Sequence, residues 1–342
     1  MIKEIEPFFF PTTVGFVDDS KAFLANLVLQ LDSKLAFRFF YSPRTALEAF
    51  QKPIGSAQNG ISFLAPYHNR DEVSETHEVV AVSLTSIHKQ VFDASRFNVM
   101  SVLVVDYEMP GMNGLEFCRQ ISNPDVKKIM LTGKANESVA IKSFNEGLID
   151  RFIRKNDVNA ICELNNAIKE MQSAYFKGAY RTICETLAFS DYMFLSDSVF
   201  VEKVREIFCQ LGIVEYYLSY QPSGILMLDS KGAPYLLIVH TRETLSSVRE
   251  IASTLGAPNQ FLSELDAHRN IPHFWQTQGH YSPECSNWQS YMHPASILAG
   301  EQDYIYTVVV RPRDFNGDNF VSYDNYLNKL DEEMEATWSS ST

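Results

Sequence analysis

The chain has 342 residues, 45% of them hydrophobic, enough for about two packed domains and too apolar for a disordered chain. Its net charge is −13, and the charge is uneven. Residues 1–156 carry 17 Lys and Arg against 18 Asp and Glu, whereas residues 191–342 carry 9 against 20. Nucleic-acid affinity needs a cationic surface, so the acidic C-terminal part argues against DNA binding. No apolar run reaches the ~18–20 residues of a bilayer span. The first residues, Met1-Ile2-Lys3-Glu4-Ile5-Glu6-Pro7, lack the basic start of a signal peptide. The five cysteines (Cys118, Cys162, Cys184, Cys209, Cys285) are scattered without a C-x-x-C pair, as expected of reduced thiols in a cytoplasmic protein.

In chain order, Val14-Gly15-Phe16-Val17 is a short apolar run that stops at Asp18-Asp19, as a buried parallel strand would. Residues 20–32 place Phe23, Leu24, Leu27, Val28 and Leu31 at helical spacing, with Ser20 as N-cap. A second strand spans 36–41, and Pro43 opens a helix over 43–51. Asp19 lies 87 positions before Asp106, about twice what two strands and two helices need, so residues 52–95 read as an insertion, with one extra helix within 82–92. Val102-Leu103-Val104-Val105 ends at Asp106, a helix follows over 113–121, and Ile129-Met130-Leu131 ends at Thr132. A fourth helix runs from Asn136 to Glu146, with Gly147 as its C′ residue. The fifth strand, Phe152-Ile153-Arg154, ends at Lys155. Alternation of this kind predicts a doubly wound α/β sheet of five parallel strands in the order 2-1-3-4-5. Asp18, Asp19, Asp106, Thr132 and Lys155 then gather at the strand C-terminal ends, where three carboxylates, a hydroxyl and an ammonium suit Mg²⁺ and a phosphoryl group.

Residues 157–188 are helical in pattern. Ile161, Leu164, Ile168, Met171 and Tyr175 form two heptads, fitting either a last helix packed on its own domain or a dimerising linker. Beyond 190 the pattern changes. A helix over 199–211, a hairpin of 225–228 and 235–239 around Asp229-Ser230-Lys231-Gly232, a helix over 242–255 and a strand over 304–310 describe an α+β module.

The acidic pair Asp18-Asp19, the block from Asp106 to Gly114 (Asp-Tyr-Glu-Met-Pro-Gly-Met-Asn-Gly), Leu131-Thr132-Gly133 and Lys155 together resemble the receiver domain of bacterial two-component response regulators, over residues 11–156. The resemblance implies Asp106 as phospho-acceptor, with Thr132 and Lys155 assisting. It also implies Mg²⁺ held by Asp18, Asp19, Asp106 and the Glu108 carbonyl, and a histidine kinase or phosphotransfer protein as donor. Its family readout couples Thr132 to an aromatic residue, a position held here by Phe152, which lacks tyrosine's hydroxyl. Glu108 and Lys134 flank the expected phosphoryl entry, and an ion pair there would slow hydrolysis. Asn156 stands where the family usually has proline. The plan as a whole, a receiver (11–156), a linker or dimerisation helix (157–190) and an acidic α+β output domain (191–342) without a helix-turn-helix, is similar to quorum-sensing response regulators of the Lqs type. The expectation is a homodimeric regulator whose output binds protein or a small ligand.

The alternative is a phosphorylation-controlled, metal-dependent phosphodiesterase or nuclease. His240, His268, His273, His280 and His293 fall within 54 residues along with Cys285, and His268 and His273 have metal-ligand spacing. Asp229-Ser230-Lys231, with Glu202 or Glu215, matches an acid-x-Lys nuclease motif, although a hairpin turn explains it on backbone grounds. Asp314-Phe315-Asn316-Gly317-Asp318 lacks the closing Glu of a calcium loop and reads as a polar turn.

Overall fold

Two units divide the chain, and each is assembled from separated segments. One holds residues 11–61, 94–179 and 323–342; the other holds 1–10, 62–93 and 180–322. The structure, a computed structural model, describes residues 4–51, 63–66, 80–133, 142–187, 191–277, 279–285, 287–315 and 320–339. No helix among them is long and apolar enough to cross a membrane.

The first unit is the expected parallel sheet. Its strands are β2 (Thr13–Val17), β3 (Phe37–Phe40), β6 (Met100–Val105), β7 (Lys127–Thr132) and β8 (Arg151–Arg154), ordered β3-β2-β6-β7-β8, which is 2-1-3-4-5 within the unit. Every residue of β2 and β6 is buried, as continuous apolar strands covered on both faces must be. Alternate side chains serve opposite faces. Val14, Phe16, Val102, Val104, Ile129 and Leu131 pack with α1 (Lys21–Val28) and α5 (Ala160–Tyr175). Val17, Leu103, Val105 and Met130 pack with α2 (Pro43–Gln51) and α4 (Gly114–Gln120). Ser20 caps α1, and Asn113 and Glu116 close a capping box on α4. Most of the expected fourth helix lies outside the described residues. Its end is visible: Gly147 has φ +69°, and Leu148 N–H donates to Ser143 O at 2.9 Å.

The heptad residues Ile161, Leu164, Ile168 and Met171 face inward, onto the sheet of their own unit. A break at Phe176 separates α5 from α6 (Lys177–Leu187). A final helix, α10 (Tyr323–Ser339), belongs to this unit as well. Tyr323 Oη donates to Lys34 O at 2.6 Å and accepts from Ala36 N–H at 3.1 Å, while Tyr326 Oη bonds Thr13 Oγ1 at 2.7 Å and Asn98 Oδ1 at 3.0 Å. Both rings pack at tilted angles against the buried Phe97, and Arg38 pairs with Glu333 at 2.9 Å.

The second unit is the separate α+β region. Its antiparallel sheet contains β1 (Phe8–Phe9), β9 (Ile213–Tyr220), β10 (Ser223–Asp229), β11 (Pro234–Thr241), β15 (Asp303–Val310) and β14 (Ser296–Ala299), in that order. The expected hairpin pairs Ile225 with Leu237 and Met227 with Tyr235. Described parts of the 52–95 segment contribute a two-stranded pair, β4 (Leu64–Pro66) and β5 (Val80–Val82), and α3 (Leu84–Lys89), which contacts β9. Asp197 caps α7 (Ser198–Leu211). Over the sheet, α8 (Arg242–Thr254), α9 (Asn259–Asp266) and the pair β12 (Asn270–Pro272) and β13 (Met292–Pro294) enclose an aromatic core of Phe261, Phe274, Tyr281, Trp288 and Tyr291.

Candidate functional site

The strand ends of the parallel sheet converge because each first loop residue is tied to a neighbouring strand. Asp18 N–H donates to Phe40 O at 3.1 Å, Asp106 N–H to Val17 O at 2.9 Å, and Lys155 N–H to Thr132 O at 2.9 Å. The side chains that follow are therefore aimed from fixed backbone. Asp18, Asp19 and Asp106 each offer an oxygen within 4.8 Å of the others. Asp18 and Asp106 are buried and Asp19 is exposed, so the trio opens to solvent on one side.

Lys155 Nζ lies 2.5 Å from Asp18 Oδ2 and 2.9 Å from Asp106 Oδ1, joining the two buried carboxylates. The Phe23 ring, 4.1 Å away, flanks the ammonium and holds it over the acids. The remaining oxygens are satisfied by peptide groups: Ser20 N–H donates to Asp18 Oδ1 at 2.8 Å and Glu108 N–H to Asp106 Oδ2 at 3.1 Å. Burial raises the Asp106 carboxyl above its ordinary value, outweighing the hydrogen bond and charge of Lys155, and the charge of Asp18 adds to the rise. Thr132 is 1% exposed at the end of β7. Hard carboxylate oxygens at this spacing fit a small divalent cation such as Mg²⁺. Lys155 occupies part of the same space, so cation and ammonium would share the two buried acids.

Gly114 is a site residue by necessity. A Cβ there would fall on the carbonyl oxygen of Asp106, far inside van der Waals contact, and Gly114 N–H donates to Tyr107 O at 2.9 Å. The start of α4 can approach the acidic strand end only without a side chain. That requirement was visible in the motif as a glycine but carried no geometric meaning there. The role of the Phe23 ring was likewise hidden within an ordinary apolar helix pattern.

Phe152 is half-buried on β8, opposite Met130, and packs with the α2/α4 face. Glu108 is exposed. Lys134, its expected partner across the entry, lies outside the described residues.

Among the described residues, the candidates of the antiparallel unit form no three-ligand group. Asp229 Oδ1 accepts from Lys231 N–H and Ala233 N–H at 3.0 and 2.8 Å, the bonding of a hairpin turn. Glu215 is buried and accepts from Tyr217 Oη at 2.7 Å, and Glu202 lies exposed on α7. His268 Nδ1 lies 3.3 Å from Arg242 Nη1, and His273 Nε2 3.3 Å from Asp314 Oδ2. Residues 316–318 of the candidate calcium loop are outside the described set. Among the described residues, only the Asp18, Asp19 and Asp106 trio brings three His, Cys or carboxylate ligand atoms this close.

The model of the response regulator receiver domain family matches residues 69–166. A solved structure of the Legionella pneumophila response regulator LqsR is similar to the chain at 35% identity, covering 96% of this chain and 97% of that one, with a TM-score of 0.73. A receiver domain from Methanospirillum hungatei covers 49% of the chain at 18% identity and TM-score 0.33. An adenylate cyclase from Rhodopirellula baltica covers 53% at 21% and 0.34, and these two span 98% and 99% of their own lengths. No curated protein matches the sequence.

Proposed function

The chain belongs to the LqsR-like response regulators with a receiver domain, and on that premise we propose that Asp106 is the phospho-acceptor that switches a binding output in the antiparallel unit. The observation that carries the reading is the Lys155 ammonium set between two buried carboxylates at 2.5 and 2.9 Å, beside a third. Receiver domains take their phosphoryl group from histidine kinases as a class. Here an Asp106 oxygen forms the new bond to phosphorus while the bond from phosphorus to the donor imidazole breaks. Lys155 exchanges a carboxylate contact for a phosphoryl oxygen, and the Thr132 hydroxyl donates to another. Asp18, Asp19, Asp106 and the Glu108 carbonyl would hold Mg²⁺, which would supply positive charge to offset that of the phosphoryl group. Phe152 follows Thr132 by changing its burial. Glu108 and Lys134 restrict water at the entry, so Lys134→Ala shortens the life of the acyl phosphate.

The output reading is binding of protein or small molecule. The acids of the nuclease alternative are in a turn, in a tyrosine hydrogen bond and on an exposed helix, and among the described residues they form no three-ligand group. The deciding experiment is incubation with acetyl phosphate and Mg²⁺, read by intact mass. Wild type gains one phosphoryl group and Asp106→Asn gains none. Equal labelling of the two proteins would overturn the assignment.

A further inference from the structure

The antiparallel unit contains a cavity of about 410 Å³, within the size range of small-molecule sites. It opens where several elements end together. The β9–β10 turn brings Tyr220 and Ser223, the end of β11 brings His240, the first turns of α8 bring Thr244 and Ser247, and His273 and His280 close the far side. Val239 and Val248 supply apolar wall.

The polar lining is largely uncharged. No Lys or Arg stands among the described lining residues, and the one carboxylate there is the exposed Asp191. His240 Nδ1 lies 3.2 Å from Thr244 Oγ1, and burial lowers its pKa to about 4, so the ring is neutral near pH 7. His273 is 2% exposed, and its Nδ1 has no hydrogen-bond partner. A buried ring nitrogen left unpaired is costly and calls for a function. An anion entering here would lose water and meet no lysine or arginine among the described lining residues, whereas hydroxyl or amide groups would find imidazole and hydroxyl partners.

We propose that this cavity binds a small uncharged molecule that combines an apolar body with hydrogen-bonding groups. The inference rests on the reading of the antiparallel unit as a binding module, and it gives that module a ligand class.

The test uses full-length unphosphorylated protein and two probes of matched shape, 2-phenylethanol and phenylacetate. Binding is followed by side-chain NMR of His240, His273 and His280. The alcohol is expected to shift these resonances in a saturable way, and phenylacetate to bind at least tenfold more weakly. Ser247→Trp, which fills the cavity from an exposed helix position, should weaken the alcohol at least tenfold. Ser246→Trp, which lies outside the lining, should retain binding. The proposal is overturned if neither probe shifts the histidines, if the acid binds as well as the alcohol, or if Ser247→Trp binds normally. Phosphorylation plays no part in these measurements, so their failure leaves the Asp106 assignment standing, and failure of that assignment leaves the cavity result intact.

Discussion

Lys155→Met removes the charge that joins Asp18 and Asp106 while keeping most of the side-chain volume. The three side chains are only 16%, 6% and 9% exposed, so solvent screens them poorly. At 2.9 Å and an effective dielectric of about 20, Coulomb attraction in the Lys155–Asp106 pair alone is roughly 6 kcal/mol. Part of that is offset by the desolvation of the ions, and removing one partner from a buried pair costs about 3–5 kcal/mol net. The penalty depends on pH. Asp106 already has a raised pKa from burial, and the charge of Asp18, no longer countered by lysine, raises it further. A carboxyl whose folded pKa exceeds its unfolded one binds protons more tightly when folded. Stability is therefore lost as pH climbs from the unfolded pKa through the folded one, and regained as pH falls. Urea unfolding should show a loss of about 3–5 kcal/mol at pH 8 and a smaller loss at pH 5. A penalty equal at the two pH values, or one below about 1 kcal/mol at pH 8, would refute the account of Lys155 as the counter-charge of two buried acids.

Gly114→Ala should destabilise the receiver unit by about 2–3 kcal/mol, because the new methyl overlaps the Asp106 carbonyl and α4 must move; a thermal midpoint unchanged from wild type would contradict this. His240, with a folded pKa of about 4, binds its proton less tightly when folded, so stability should fall as pH drops from about 6.5 towards 4. The loss approaches roughly 3 kcal/mol; His240→Gln should flatten that slope, and an NMR titration midpoint near 6.5 would disprove it. Truncation after Ser322 removes both tyrosine anchors of α10 and should abolish amide-exchange protection at Ala36 while leaving that of β10 and β11 intact. Retained protection at Ala36 would show that the helix is dispensable to the unit.

The parallel sheet and its acidic edge were legible because buried parallel strands announce themselves as unbroken apolar runs and stop at polar residues. Ser20 and Gly147 marked helix ends for local backbone reasons, and both act there, whereas Asn113, read as the first residue of its helix, is the cap that precedes it. The antiparallel unit was only partly legible. Its central hairpin carried turn chemistry, but β1 is two residues long and β14 is largely exposed, so neither leaves an apolar pattern. β9 is an eight-residue strand whose burial includes Glu215, a residue that reads as solvent-facing until Tyr217 is seen to pair with it.

Sequence distance was not the obstacle. Lys155 and Asp18 are 137 positions apart, Tyr323 and Ala36 are 287 apart, and both pairs meet. The first was predictable because one topological rule sends every strand end of a parallel sheet to the same edge, so naming the strands already assembles the site. No such rule governs α10. The spacing of Tyr323, Tyr326 and Leu330 shows that one helix face is buried, and a pattern of that kind does not identify the surface that buries it. The same holds for His240, His273 and His280, which reach one cavity from the end of β11, the residue after β12 and a loop. Chemistry placed by sheet topology can be read from the chain, whereas chemistry placed by packing between irregular segments needs the coordinates.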